Sequence, residues 1–340
     1  MSTKFRNLLL KPEFLSSFLI VLFCIVFGKL NPVFFSPMNI FDLLMVSSVP
    51  AIFACGVMIV LISGGVDLSF MWIGMFAAYS TSRWLSILQM QEGVVVPMAV
   101  VFLMCAVIGA CLGSFNGLLV SMLRIPIFIV TLGTANIFMG TMFYFIGHVY
   151  IFPAEMPVAM IEFSNTRFFR MVTPGGLMVG GLHISTIVAA LMLIVVNFIM
   201  KHTMLGRGIY ALGGDESSAE RVGINLTRLR LALFTMAGAI AGIAGAVGVS
   251  NIQVANPFDF QGRELTVIAA VVIGGTRITG GKGSVLGITL GVLLTNILSQ
   301  NLILIGVRPQ YNLFVFGILI LFAVVVQALQ EKAGSGGGRL

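Results

Sequence analysis

"LTVIAAVVIGGTRITGGKGSVLGITLGVLLTNILSQNLILIG", Leu265 to Gly306, admits two opposite readings. Its centre, Gly274 to Ser284, is a glycine run with a lysine, as in a loop that cradles phosphates. Such a loop needs G-x-x-x-x-G-K-[ST], because backbone N–H groups hold the phosphates, the lysine reaches the terminal ones and the hydroxyl holds Mg²⁺. The register fails here. Gly275 and Gly280 are correctly spaced, but Gly281 stands where the lysine belongs, and Gly283 follows Lys282 in place of Ser or Thr. Both flanks are long apolar runs of a kind that a soluble nucleotide-binding domain does not carry. The stretch therefore reads as a glycine-rich turn joining two membrane spans.

Working outward, the whole chain agrees. Of 340 residues, 58% are hydrophobic and 9% charged, with a mean hydropathy of +1.07, whereas about 25% are charged in ordinary globular proteins. This is an integral membrane protein. The net charge of +7 would suit nucleic acid only if the basic residues shared one face. They are strewn between apolar runs, so lipid and no nucleic acid is expected. Cys24, Cys55, Cys105 and Cys111 lie inside apolar runs without paired or C-x-x-C spacing and read as small buried residues. His148, His183 and His202 are scattered singly, and no metal site is expected.

A spanning helix needs about 20 mostly apolar residues. Candidate runs fall near 14–30, 43–62, 68–84, 94–123, 126–147, 184–200, 229–250, 265–275, 284–304 and 312–328, the eighth being short. About ten transmembrane helices are expected in an all-α fold. Lys and Arg favour the cytoplasmic side, and with both termini inside, thirteen of them fall inside against six outside. The basic start and first apolar run lack a small-x-small cleavage site and read as the first span, not a leader. The layout is a single transmembrane domain over 1–332, with an external loop at 148–183, an internal segment at 206–230 and a flexible glycine-rich tail at 333–340.

Close helix packing in lipid relies on small residues. "GACLGSFNG" puts Gly109, Gly113 and Gly117 on one face, and "AGAIAGIAGAVG" does the same with Gly238 and Gly242. Polar residues inside spans are few and mostly uncharged: Asn116, Thr131, Thr134, Asn136, Asn296, Ser299 and Gln300. Only Asp42 and Asp67 among the acids approach a span, and both sit at predicted ends. Ion-coupled transporters need ionisable groups at membrane depth, so the energy source must lie elsewhere.

The segment Gly206 to Arg230, "GRGIYALGGDESSAERVGINLTRLR", has its own helix signals. Asp215 can cap a helix starting at Glu216, Ser217 with Glu220 offers an alternative capping box, and Gly223 suits the left-handed terminal residue. A two-turn helix with charges and a few apolar residues results. It reads either as a solvated connector or as a docking knob.

Four motifs in order, "LISGGVDLSF", "GRGIYALGGDESSAERVGI", "FTMAGAIAGIAGAV" and "LTVIAAVVIGGTRITGGKGSVLG", resemble the permease subunits of bacterial ABC importers for simple sugars, the ribose, xylose and galactose type. The resemblance covers roughly residues 40–325. It implies a type II importer-like permease of the bacterial inner membrane that pairs with a second copy or a sister permease. It also implies two cytoplasmic ATPase subunits, which hold the ATP and Mg²⁺ while this chain binds no cofactor, and a periplasmic sugar-binding protein that delivers cargo. The chain itself would not be an enzyme. In that family the coupling helix lies in the Gly206–Arg230 segment, which carries over to Asp215, Glu216, Ser217, Ser218, Ala219, Glu220, Arg221, Val222 and Gly223. Arg277 and Lys282 would face the ATPase or stand as solvated membrane-edge charges. Gly64, Gly65, Asp67, Leu68 and Ser69 match "GGVDLS", but Phe70 departs from the small residue usual there.

Physically, Gly64 and Gly65 break the second span, and Asp67 or Ser69 caps the third, so that segment is a structural cap, a hinge or a lining of the path. Asn116, Thr131, Thr134 and Asn136 are candidate pathway residues because they are polar and mid-span. An ion-coupled secondary transporter, a membrane prenyltransferase, and ABC permeases for nucleosides, autoinducer-type sugar derivatives or branched-chain amino acids are the alternatives.

Overall fold

The computed structural model describes residues 12–172, 178–304 and scattered positions between 306 and 325. The tenth predicted span, apart from those positions, the tail 333–340 and the terminal basic residues lie outside the described residues. In chain order run α1 (Pro12–Leu30), a 3-10 turn (Pro32–Phe35), α2 (Pro37–Ile62), α3 (Phe70–Glu92), α4 (Met98–Leu123) and α5 (Ile127–Thr141) with a π turn (Met142–Ile146). Then follow α6 (Val158–Asn165), β1 (Arg167–Val172), β2 (Met178–His183), α7 (Ile184–His202), α8 (Met204–Gly214), α9 (Glu216–Arg221), α10 (Leu226–Ile252), α11 (Glu264–Ile273) and α12 (Val285–Leu304).

Among the described residues, seven helices are long and apolar enough to cross a membrane: α1, α2, α4, α5 with its π turn, α7, α10 and α12. Two other predicted spans differ. The run near 68–84 becomes α3, 23 residues long, whose last turns carry Arg83, Gln89, Gln91 and Glu92. The run near 265–275 becomes α11, 10 residues that rise about 15 Å, half a hydrocarbon core.

Local chemistry sets the ends. Ser36 caps α2 by accepting from the Asn39 N–H, and Pro37 fills the first position, where no N–H partner is needed. Asn225 caps α10 through the Arg228 N–H, and Thr203 caps α8 through Gly206. Gly93 ends α3 at φ 66°, the left-handed conformation that glycine adopts freely.

Burial separates core from rim. Some 78% of the α2 window and 72% of the α10 window are buried inside the protein, against 11% for α1 and 22% for α4 and α7. A helix that is apolar all round belongs at the centre, and α2 from Ala51 to Ile62 is buried throughout. The glycine seams bring α10 against its neighbours. A Cβ on Gly109 would strike the Gly238 carbonyl, one on Gly113 the Phe234 carbonyl, one on Gly242 the Cys105 carbonyl and one on Gly245 the Gly74 carbonyl. Thus α4 and α3 touch α10 backbone to backbone, the approach that small residues permit. Cys55 and Cys105 are buried as expected and Cys24 half-buried, but Cys111 is exposed on the opposite face of α4.

The fold is mostly helical rather than all-α. The expected external loop 148–183 contains α6 and an antiparallel hairpin, with Arg167 opposite His183 and Val172 opposite Met178. His183 is fully buried and ties this cap together, its Nδ1 2.7 Å from Ser185 Oγ and its Nε2 2.8 Å from the Ser164 carbonyl. Arg167 also approaches Asp42 at 3.9 Å, joining the hairpin to α2.

Candidate functional site

At the end of the bundle opposite the hairpin, three backbone segments meet: the turn after α2, the end of α8 and the loop 274–284. Gly64, Gly280 and Gly281 have φ of 92°, 91° and 74°. The Gly281 N–H donates to the Ile62 carbonyl at 2.9 Å, and the Tyr210 hydroxyl donates to the Gly283 carbonyl at 2.8 Å. A Cβ on Gly213 would land on the Ile62 carbonyl oxygen, and one on Gly280 would come within 2.8 Å of the Gly213 oxygen and 2.9 Å of Gly64 Cα. Glycine is required because the chains pass each other with no room for a side chain. α1 is pinned here too, through Ser16 Oγ to the Ile273 carbonyl and Ser284 Oγ to Glu13 Oε1. The loop's amides are thereby spent on its own chain: Gly275 on Val272, Arg277 on Lys282, Gly280 on Arg277 and Gly281 on Ile62. They do not converge to cradle a phosphate. Lys282 is exposed and Arg277 half-buried beside it.

Directly after Gly213 and Gly214 the chain enters α9. Asp215 is its N-cap, accepting from the Ser217 N–H at 3.0 Å and from the hydroxyls of Ser217 at 2.9 Å and Ser218 at 2.6 Å. Those hydroxyls, Ser218 first, hold its pKa down at about 2. The helix ends as a Schellman motif: the Ile224 N–H reaches the Ala219 carbonyl and the Gly223 N–H the Glu220 carbonyl, with Gly223 at φ 86°. Ala219 is buried, while Glu216, Ser217, Ser218, Glu220, Arg221 and Val222 are exposed. Arg230 holds Glu216 at 2.7 Å, whereas Glu220 makes no ion pair among the described residues. Glycines mask an amphipathic pattern in the preceding helix α8, whose Ile209 and Leu212 are buried.

The "GGVDLS" residues gather with two of the polar mid-span candidates. Asp67 Oδ1 accepts from both the N–H and the hydroxyl of Ser69 at 2.7 Å, and Asn116 Nδ2 donates to Ser69 Oγ at 2.7 Å. Thr131 Oγ1 accepts from the Leu68 N–H at 3.1 Å, and a Cβ on Gly65 would press into Ile127. Asp67, Ser69, Asn116 and Thr131 are all buried. Asp67, not Ser69, supplies the cap of α3, since the Ser69 side chain makes no capping bond. Thr134 is buried and turned to the Thr131 carbonyl, whereas Asn136 is exposed with its amide folded onto the Leu132 carbonyl.

None of these residues lines the cavity that opens between α2 and α12. That cavity, about 630 Å³, lies between α2, α10, α11 and α12 and is walled by Val46, Val49, Pro50, Phe53, Met71 and Phe260 with Asn251, Arg263, Thr266, Thr295, Asn296 and Ser299. Asn296 and Ser299 stand out in the sequence as polar residues in an apolar run. Asn251 and Arg263 fall beyond the predicted helix ends and carry no such signal.

The family described as "branched-chain amino acid transport system / permease component" matches residues 39–324. The chain is 33% identical over 309 residues to the ribose import permease protein RbsC of Escherichia coli (strain K12), covering 91% of each. It is 35% identical over 314 residues to RbsC of Bacillus subtilis (strain 168), covering 92% of this chain and 91% of the relative. The galactose/methyl galactoside import permease protein MglC of Haemophilus influenzae is 32% identical over 334 residues, 95% of each. No solved structure matches. With a glycine-locked helical bundle and these relatives along nearly its whole length, the chain belongs to this family of membrane permease components of ABC import systems.

Proposed function

We propose that the chain is the membrane-spanning permease of an ATP-driven importer for a monosaccharide, with α9 as the lever through which separate ATPase subunits act. The observation that carries this reading is the seating of α9. An exposed, firmly capped knob is joined through Gly213 and Gly214 to a junction that grips the ends of α2 and α11. A pull on such a knob moves helices rather than a slack loop. The relatives named for ribose and galactose favour sugar over the amino acids in the family's description. In this reading about ten helices cross the inner membrane with both termini and α9 in the cytoplasm, as the excess of Lys and Arg at the junction end suggests. ATP and Mg²⁺ belong to the ATPase pair, Arg277 and Lys282 face it, and a second permease and a periplasmic sugar-binding protein complete the assembly. The Asp67, Ser69, Asn116 and Thr131 cluster acts as a hinge cap beneath the path.

The test is Glu220→Arg, or a Gly/Ser linker in place of Asp215 to Gly223, assayed by ATP-driven ribose uptake and sugar-stimulated ATP hydrolysis in vesicles holding the complete importer. Glu220 makes no ion pair among the described residues, so its reversal should change stability by no more than about 0.5 kcal/mol while uptake falls and hydrolysis loses its sugar dependence. Unchanged sugar-stimulated hydrolysis would contradict the assignment.

A further inference from the structure

We propose that the cavity between α2, α10, α11 and α12 is a weak stopping place for one neutral polyhydroxy molecule of monosaccharide size, engaged by Asn251 on one wall and by Asn296 and Ser299 on another. The proposal rests on the importer reading and deepens it by naming where cargo pauses. At about 630 Å³ the cavity falls within the roughly 300–1,000 Å³ of small-molecule sites.

Its chemistry narrows the occupant. Hydrogen-bonding groups already committed inside the protein have nothing to offer a ligand. The Thr295 hydroxyl is spent on the Gly291 and Val292 carbonyls, and the Asn296 amide N–H on Val292. The Asn296 carbonyl oxygen and the Ser299 hydroxyl, by contrast, make no hydrogen bond among the described residues. Asn251 Oδ1 is buried and makes no hydrogen bond among the described residues. Buried polar atoms are nearly always paired, and this oxygen, covered by its surroundings but carried by a residue of the cavity wall, gains a partner when its amide turns toward a ligand hydroxyl. Asn296 and Ser299, three residues apart, share one face of α12, with Asn251 facing the same space from α10. Hydroxyls both donate and accept, and so can satisfy amide oxygens and a serine together.

The remaining walls, Val49, Phe53, Met71 and Phe260, suit the apolar faces of a sugar ring. Arg263, the single charged residue of the lining among the described residues, has Asp259 close by in the preceding loop. Among the described residues no acid lines the cavity to receive an ammonium group, which sets it against a free amino acid. With three engaging side chains for a molecule carrying four or five hydroxyls, occupancy is brief and selection falls to an earlier step.

The test uses Val49→Cys, a wall position outside the three engaging residues, in membrane vesicles holding the full-length chain. A small water-soluble thiol reagent is applied and labelling at position 49 is read by peptide mass spectrometry, with ribose, leucine or neither present at up to hundreds of millimolar. The expected result is labelling slowed at least about threefold by ribose and not by leucine. Asn251→Leu or Asn296→Leu, added to Val49→Cys, should leave labelling intact and remove the protection. Three outcomes overturn the proposal: no labelling at position 49, equal protection by leucine, or ribose protection that persists in both asparagine variants. Because the assay needs neither ATP nor ATPase, protection combined with ATP-independent uptake would refute the importer reading while leaving this site standing.

Discussion

Replacing Gly213 by alanine tests the junction at its tightest point, and the neighbouring glycine supplies the control. A Cβ at Gly213 would fall on the Ile62 carbonyl oxygen and lie 2.7 Å from the Gly281 nitrogen, the two atoms that form the 2.9 Å hydrogen bond between α2 and the 274–284 loop. Neither neighbour can rotate away, because both are backbone. Overpacking of this kind costs about 1–3 kcal/mol, and a buried pair forced apart adds about 1–3 kcal/mol. Alanine's better helix propensity returns about 0.5–1 kcal/mol in the last turn of α8. The net loss is roughly 1–5 kcal/mol. At Gly214 a Cβ meets nothing within 4 Å, so Gly214→Ala should be neutral or slightly stabilising. Thermal unfolding of both variants in the same detergent reads the difference: Gly213→Ala melts well below wild type and Gly214→Ala at or above it. Equal melting temperatures, or the reverse order, would show that the three backbones are not locked together as described.

Gly109→Leu should separate α4 from α10, because its first carbon already strikes the Gly238 carbonyl; Gly133→Leu, with open space around the Cβ, should not. Size-exclusion of the detergent-solubilised variants, expected to show aggregation only for the first, checks this. Asp67→Ala strands the N–H and hydroxyl of Ser69 and should cost about 1–3 kcal/mol, whereas Asn136→Ala, exposed and bonded only to its own helix, should stay within about 0.5 kcal/mol and transport normally. Denaturation midpoints and uptake at matched protein levels measure both. Asp215, with a folded pKa of about 2 against a reference of 3.8, contributes its cap fully above about pH 3.8 and loses it as pH falls through about 2. A carboxyl NMR titration of Asp215 in the full chain should have its midpoint near the lower value; a midpoint at 3.8 would remove the cap.

What sequence could reveal tracked how local the physics is. The α9 cap and its glycine stop rest on contacts within nine residues, so Asp215 and Gly223 were readable from residue type and spacing. The glycine seams were readable for the same reason. The hairpin was not, since "RFFRMV" lacks alternation and its partner strand is held by distant groups, Gly180 lying against Phe41 and His183 bonded to the Ser164 carbonyl. The cavity was hidden because polarity within a span says nothing of direction. Asn116, Asn136 and Asn296 look alike in sequence, yet they point respectively into a packed seam, outward and toward a void. For Asn116 a signal existed: it lies three residues after Gly113 and one before Gly117, on the side of α4 that the glycine stripe commits to α10. Nothing comparable marks Asn251, whose role depends on where α11 and α12 stop.

The junction and the cavity share their structural members, and this is what makes their relation mechanical. α2 ends at Ile62, which the junction holds, and its Val46 to Phe53 stretch walls the cavity; the rise along the helix from Phe53 to Ile62 is about 14 Å. α11 walls the cavity from Arg263 to Ala270 and ends in Gly274, whose closeness to Gly287 fixes it to α12; a Cβ on either would strike the other's carbonyl. α12 leaves the junction at Val285 and reaches the cavity at Thr295. A helix with its ladder intact moves as a rod. Displacing the junction therefore displaces three cavity walls at once, while Pro50 gives α2 a place to bend between its junction end and the end tied to the hairpin. On the lever reading proposed above, loose packing at the glycines would absorb a pull from α9 before any wall moved. The carbonyl-to-Cβ clashes at Gly213, Gly274 and Gly287 thus mark where slack has been removed, and the severity of alanine there should rank with loss of coupling rather than with loss of fold alone.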